Sequence, residues 1–375
     1  MVMLLSAPPD GEGAHASIMT PTVPSVDLGQ AWVQRGFEMQ SIDALVVTEP
    51  GKLIVEKRVG PERGNDDALV APRRAGICGT DYHIYEGNQP FLSYPRVMGH
   101  ELAVELLEAP PNSHLLAGET YIVNPYISCG TCIACRKGKP NCCTRISVLG
   151  VHRDGGMAGL LTLPARNLVP AQGMGADECA MVEFLAIGAH AVRRAATAED
   201  DQVLVVGAGP IGLGTALFAA IEAGGVTIMD RDRSRLDAAE KLIPNCKAVM
   251  AGDDNGLGEI APEGFDVVFD ATGSRESIER GFAHAAHGGR YCLVSVIKGD
   301  ISFVDAEFHR KELTLLGSRN AIAADFEKVI SAIKSGAARS DDWITHRTTL
   351  QGAIKDLPVW AANKAGLVKA VIEIG

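Results

Sequence analysis

At 375 residues, 46% of them hydrophobic, the chain is long enough for two globular domains with full cores. A formal net charge of −11 leaves no basic stripe for nucleic acid or an anionic membrane surface, and no apolar run approaches bilayer-spanning length. Nine cysteines, an odd number, argue against a disulfide framework and for metal binding or buried thiols in a cytoplasmic setting.

The first 38 residues hold Pro8, Pro9, Pro21 and Pro24, several glycines and no sustained periodicity, which reads as a disordered lead. Residues 1–5 are too short for a signal-peptide core and are followed by acids, so secretion is not expected. Met39 precedes the first expected strand and is a candidate natural start. From there to about Val182 the text is mostly β, in short strands at 42–47, 53–58, 68–72, 101–107 and 120–123, separated by glycine and proline turns.

Two constellations stand out in this part. The first is Cys78, followed by His100 and Glu101 and later by Glu183. A thiol, an imidazole and a carboxylate are a donor set that suits zinc with one position left open, although Cys78 alone also reads as a small buried hydrophobe and His100 alone as a satisfied core imidazole. The second is Cys129, Cys132 and Cys135, then seven residues, then Cys143. Three thiols spaced by two residues in a loop held by Gly130, Gly138 and Pro140 can face one centre, and a fourth closes a tetrahedral thiolate site, the form of a structural zinc. The competing reading is a redox Cys-x-x-Cys, for which the third cysteine is superfluous, and Cys142 is an alternative to Cys143 as fourth ligand.

Residues 202–230 carry the nucleotide stretch. Val203 to Val206 form a continuous apolar run, expected as a strand buried on both faces. Gly207, Gly209, Pro210, Ile211 and Gly212 follow, then helix formers from 213 to 223, then a second strand over 225–230 ending in Asp230. Gly207 allows the turn, Gly209 lets the backbone approach a pyrophosphate at the helix N-terminus, and Gly212 lets helix and strand pack closely. Asp230 is placed to accept from the adenosine ribose. A 2′-phosphate would meet like charge there, so NAD is preferred over NADP, with Arg231 and Arg233 as the side chains that could instead turn toward a phosphate.

Further on, 266–270 and 289–295 read as buried strands with a helical window at 274–287 between them, an alternation that implies a doubly wound parallel sheet. Ala271, Thr272 and Gly273 close the strand at 266–270 and should border the cofactor. An exposed edge of that sheet favours pairing with a second copy, as a homodimer or homotetramer. From about Asp341 the text returns to short strands, ending at 367–374.

On these motifs the chain resembles the zinc-containing medium-chain dehydrogenases/reductases, the superfamily of alcohol, sorbitol and threonine dehydrogenases. Gly76-Ile77-Cys78-Gly79-Thr80-Asp81, Gly99-His100-Glu101 and the four-cysteine lobe match in order and spacing, and the likeness runs from about Met39 to the C-terminus. The fold this implies is α/β, a mostly β GroES-like catalytic domain (39–185 and 335–375) beside a Rossmann NAD-binding domain (186–334). Cys78, His100 and Glu183 are implied as holders of a catalytic zinc, with Glu101 as a neighbouring or exchanging ligand and Asp81 as support for the His100 ring. Two zinc ions per chain follow. The family usually has a proline after the Val-Glu pair where this chain has Phe184, a glycine where it has Val104, and a glutamate where it has Gly159.

The stretches 151–156 and 308–320 are similar to bacterial sugar-acid and polyol dehydrogenases of the L-galactonate and L-gulonate type. The resemblance implies hydride transfer between a secondary alcohol and NAD, with a proton relay from Thr80 through the cofactor ribose to His83. Tyr85, Glu86 and Arg153 suggest a hydroxyl-rich small-molecule substrate, and Arg153, Lys298 and Arg319 are the candidate cations for a substrate carboxylate. Competing expectations are a simple-alcohol or threonine-type dehydrogenase and a non-catalytic NAD-binding protein.

Overall fold

The computed structural model describes residues 41–89 and 92–375; the lead expected over 1–38, and Met39, lie outside the described residues. The strands in chain order are β1 (Ser41–Glu49), β2 (Lys52–Val59), β3 (Asp67–Ile77), β4 (Arg96–Val97), β5 (Glu101–Glu108), β6 (Thr120–Val123), β7 (Tyr126–Ile127), β8 (Ser147–Val148) and β9 (Leu161–Pro164). They continue with β10 (Leu168–Pro170), β11 (Val203–Val206), β12 (Val226–Asp230), β13 (Cys246–Met250), β14 (Phe265–Asp270), β15 (Ala285–Leu293), β16 (Thr314–Gly317), β17 (Ile344–Thr349) and β18 (Lys369–Glu373).

Six strands form a wholly parallel sheet in the order β13-β12-β11-β14-β15-β16. The order reverses between β11 and β14, so their C-terminal ends open a crevice at the switch point. All four residues of β11 are buried, as a strand covered on both faces requires. Gly207 then takes φ +99°, which favours glycine, and a Cβ at Gly212 would collide with the Gly207 carbonyl oxygen. The helix Pro210–Ala223 starts three residues earlier than the apolar pattern suggests, because proline at its first position has no N–H to leave unpaired.

A second sheet runs β10-β6-β5-β3-β18-β17, with β9 also on β3. β18 pairs antiparallel with β3, so the last strand of the chain returns to the first half, as the sequence implies. Two smaller sheets, β2-β1-β4 and β7-β8, complete the first half.

The helix Ala176–Ala195 is a single element of 20 residues running through position 185/186, where the sequence suggests a boundary. It packs on β3, β5 and β6 at one side and on the helix Pro210–Ala223 at the other. One apolar core therefore extends from Ala103 and Ile122 through Val182 and Phe184 to Val205 and Phe269. The helical window at 274–287 is shorter than expected: the helix ends at Gly281, a 3-10 turn covers Phe282–His284, and β15 begins at Ala285. The region beyond 341 holds a helix, Leu350–Ala362, where the sequence reading expects short strands. Pro358 inside it reads as a breaker, but Thr349 caps its N-terminus and the buried Ala353 and Leu357 hold it. Among the described residues no helix is long and apolar enough to cross a membrane.

Candidate metal centres and nucleotide cleft

β3 ends at Ile77, and Cys78 is the N-cap of the helix Gly79–Tyr85. The Cys78 N–H donates to Asp81 Oδ2 at 2.8 Å, which fixes the first turn. His100 lies immediately before β5, and Glu101 is its first residue. Donor atoms of Cys78, His100 and Glu101 all lie within 4.8 Å of one another. Two strands far apart in sequence meet here because β3 and β5 pair with Gly76 opposite Glu101.

Glu183, expected in the same ligand set, stands outside that group: the Tyr126 hydroxyl donates to its Oε1. Its charge still reaches the centre and is among the influences raising the His100 pKa. Asp81 Oδ1 is 3.9 Å from His100 Nδ1, and both atoms are buried without a hydrogen-bond partner, as is Oε1 of Glu101.

The electrostatics indicate that a cation fits. Burial alone would lower the His100 pKa, but Asp81, Cys78 and Glu183 outweigh it and raise the ring well above its usual value. Burial, against the opposing pull of His100, pushes Glu183 up to about 7. A pocket with three buried carboxyls and a thiol thus draws protons onto its own groups, and a divalent ion would relieve that excess with the soft and borderline donors zinc takes.

Two side chains here were missed from the sequence. Lys369, 1% exposed, forms an ion pair with Glu101. Its signal was a lone lysine in the otherwise apolar run 367–372. Tyr126 carried no signal.

Thr80 is half-buried in the first turn of the helix Gly79–Tyr85, and His83 is exposed one turn on, its Nδ1 3.7 Å from the Glu86 carboxylate. Residues three apart share a helix face, so Thr80 and His83 lead from the centre outward.

In the cysteine lobe the sulfurs of Cys129, Cys132, Cys135 and Cys143 lie within 4.8 Å of one another. Cys142 is exposed and outside the group, so the alternative fourth ligand falls away. The Thr131 N–H and the Arg145 side chain bring the Cys129 thiol down to about 5, and the Cys135 N–H brings Cys132 down to about 6, whereas burial pushes Cys135 up to about 11. Four thiolates therefore do not coexist without a cation, and the tetrad fits zinc.

At the crevice of the parallel sheet a cleft of about 820 Å³ is lined by Gly209, Asp230, Arg231, Arg235 and Thr272, among others. Gly207, Ala208 and Gly212 are buried beneath it, and Pro210 and Ile211 open the helix at its rim. The Ala208 N–H donates to Asp230 Oδ2 at 2.7 Å and the Asp232 N–H to Oδ1 at 2.9 Å. Arg233 is tied to Asp237 and Glu240 on its own helix, so it is not the side chain turned toward a phosphate. Arg235, not singled out in the sequence, lies 3.9 Å from Asp230 instead. Thr272 is pinned to Asp270 Oδ1 through its N–H and hydroxyl. Of the candidate cations for a substrate, Lys298 and Arg319 are exposed and Arg153 is half-buried; Arg319 is near enough to His152 to help lower its pKa.

Residues 64–173 match the family described as alcohol dehydrogenase GroES-like domain, and residues 180–374 match glucose dehydrogenase C-terminus. The chain is 39% identical over 342 residues to L-galactonate-5-dehydrogenase of Escherichia coli K12, covering 89% of this chain and 99% of that protein. It is 31% identical over 306 residues to 2-dehydro-3-deoxy-L-galactonate 5-dehydrogenase of Pseudoalteromonas atlantica, covering 80% of this chain and 89% of that one. Among solved structures, the short chain alcohol dehydrogenase (rspB) from E. coli CFT073, complexed with NADH, superposes with a TM-score of 0.83 at 27% identity, covering 89% of this chain and 99% of that chain.

Proposed function

The chain belongs to the medium-chain dehydrogenases/reductases, and from that premise we propose that it is a zinc-dependent enzyme moving hydride between NAD and a secondary alcohol of a sugar acid, of the L-galactonate or L-gulonate type. The observation that carries this reading is the convergence of Cys78, His100 and Glu101, whose donor atoms lie within 4.8 Å of one another, with His100 Nδ1 buried and without a hydrogen-bond partner. Sugar-acid relatives at 39% and 31% identity support the substrate class, NADH-bound and NADP-bound neighbours support a nicotinamide cofactor, and the fixed Asp230 carboxylate favours NAD.

Cys78 and His100, with Glu183 or Glu101, would hold the catalytic ion, and Cys129, Cys132, Cys135 and Cys143 a structural one. A zinc ion so held supplies Lewis acidity to the substrate hydroxyl, and bound NAD supplies the hydride acceptor. Asp81 faces the His100 ring and orients it. Thr80 receives the hydroxyl proton, and His83, one helical turn on, passes it to solvent. The turn from Gly207 to Gly212 fixes the diphosphate, Asp230 and Arg231 take the adenosine ribose side, and Thr272 borders the cofactor. Residues 39–185 and 335–375 would then form the catalytic part and 186–334 the cofactor part. In an acidic protein the substrate carboxylate needs a cation, and Arg319, close to His152, is the one we assign to it.

The test is reduction of NAD with a panel of L-hexonates, hexitols, threonine and short alcohols. A kcat/KM at least about tenfold higher for one or more hexonates than for every uncharged polyol is expected. A preference for threonine or simple alcohols would overturn the substrate assignment, and no turnover by a protein containing both metals would overturn the enzyme reading.

A further inference from the structure

We propose that Asn141 is a positioning residue for the cofactor: buried at the inner face of the cysteine lobe, it holds the loop 318–322 after β16 at the nicotinamide half of the crevice, so that the lobe sets cofactor affinity as well as stability. The proposal rests on the reading of the crevice as a dinucleotide site.

Asn141 lies between Cys135 and Cys143, in the 3-10 turn Pro140–Cys142. It is 5% exposed and is the one buried residue of that turn, while the lobe's helix Ile133–Arg136 has none. A buried amide needs partners, and those of the Asn141 N–H groups lie outside the lobe. Nδ2 donates to the Arg319 carbonyl at 2.9 Å and lies 3.2 Å from His190 Nε2. His190 Nδ1 faces Asp325 Oδ2, an ionised oxygen that only accepts, so the ring proton sits on Nδ1 and Nε2 takes the second Asn141 N–H. In return Asn320 Nδ2 donates to the Asn141 carbonyl at 3.1 Å. Each side chain thus holds the other segment's backbone, across 179 positions of sequence. Asn320 takes φ +53°, a left-handed geometry that asparagine tolerates better than most residues, and its amide reaches the lobe from there.

The loop so held continues the rim of the crevice. The Ser318 N–H donates to the Leu293 carbonyl, the Val294 N–H to the Asp270 carbonyl and the Gly273 N–H to Ser295 Oγ, each at 2.9 Å, so the C-terminal ends of β14, β15 and β16 are joined side by side. A dinucleotide lies across the switch point with one half on each side. With Asp230, on β12, at the adenosine half, the nicotinamide half falls to the side of β14, β15 and β16. On its other flank Arg319 is close to His152, and the N–H groups of Gly155, Gly156 and Met157 donate to the carbonyls of Val97, Gly99 and Met98, directly before His100. The loop 318–322 therefore stands between the nicotinamide half and the metal centre, with its backbone anchored to the cysteine lobe.

Fluorescence titration with NADH, and its displacement by ADP-ribose, in wild type, N141A, C132S and N141A/C132S tests this. ADP-ribose carries the adenosine half and the pyrophosphate but no nicotinamide ring. N141A is expected to keep metal in the cysteine lobe and to bind NADH about fivefold or more weakly, while its ADP-ribose affinity stays within about twofold of wild type. C132S, without lobe metal, should weaken NADH in the same way, and the double variant by no more than about twofold beyond the weaker single, because both act through one contact. N320G, which keeps the left-handed backbone, should also weaken NADH and spare ADP-ribose. A folded N141A that binds NADH like wild type would overturn the positioning role, and so would an equal loss of ADP-ribose affinity, which marks general loosening. Full additivity in the double variant would overturn the link to the lobe. Where N141A or C132S does not accumulate, N320G carries the test, and wild-type NADH affinity in it overturns the proposal. A wild-type protein that binds neither NADH nor ADP-ribose would overturn the dinucleotide reading itself.

Discussion

Both carboxylate oxygens of Asp230 accept backbone N–H groups, from Ala208 and Asp232, so the charge is fixed at the floor of the nucleotide cleft and not free to swing away from a ligand. An adenosine ribose can share those oxygens through their remaining lone pairs, whereas a 2′-phosphate would meet the charge head on. Asp230→Ala removes that repulsion and leaves Arg231 and Arg235 lining the cleft. The expected outcome is a shift of at least about tenfold toward NADP in the ratio of kcat/KM values for the two cofactors, about 1.4 kcal/mol. The ratio is the measurement to make, since losing the Ala208 bond weakens both cofactors alike; an unchanged ratio would rule out the role. Asp230 was legible because an acid at the end of the second strand has a spacing to the glycine turn. Lys369 was not, because its partner lies 268 positions earlier and strand pairing, not sequence distance, joins them.

The cysteine lobe is an element that burial alone does not hold. Its short helix, Ile133–Arg136, has no buried residue, and Ile133 is 57% exposed. So short a helix is not stable by itself in water, and a metal joining the four side chains would supply what the missing core does not. Cys132→Ser is expected to remove one of two metal equivalents per chain and to lower the unfolding midpoint by about 5 °C or more, with Cys142→Ser equal to wild type in both. Metal analysis and calorimetry check this; a variant losing turnover but not thermal stability would show that the lobe is not a structural staple. The even cysteine spacing made this element readable. The helix Leu350–Ala362 was unreadable for the opposite reason: Gly352 and Pro358 speak against a helix locally, and the packing that overrides them comes from β1, β2 and β17.

The two large sheets are joined by the helix Ala176–Ala195, and one polar cluster fastens that helix at its far end. His190 Nδ1 is 2.8 Å from Asp325 Oδ2, Arg193 Nε donates to Asp325 Oδ1 at 2.7 Å, and Asp325 also accepts the Ile322 N–H at the start of the helix Ala323–Lys334. On the other side of the ring, Asn141 of the cysteine lobe lies 3.2 Å from His190 Nε2 and donates to the Arg319 carbonyl at 2.9 Å. The alternation of strands and helices announces two sheets but says nothing about which helix faces fuse, so this junction had no sequence signal. Burial of Asp325 would raise its pKa, but the bonds from His190 and Arg193 outweigh that and hold the carboxyl below its usual value. A carboxyl with a depressed folded pKa contributes stability above its unfolded value, about 3.9, and loses it as pH falls through the folded one. Asp325→Asn keeps the shape and removes the charge. It is expected to lose about 2 to 4 kcal/mol of unfolding free energy at pH 7, by a margin that stays level down to about pH 5 and shrinks only below about pH 4. Urea unfolding of both proteins across that range makes the comparison, and a margin that shrinks between neutral pH and about pH 5 would show that the junction draws its strength from some group other than Asp325.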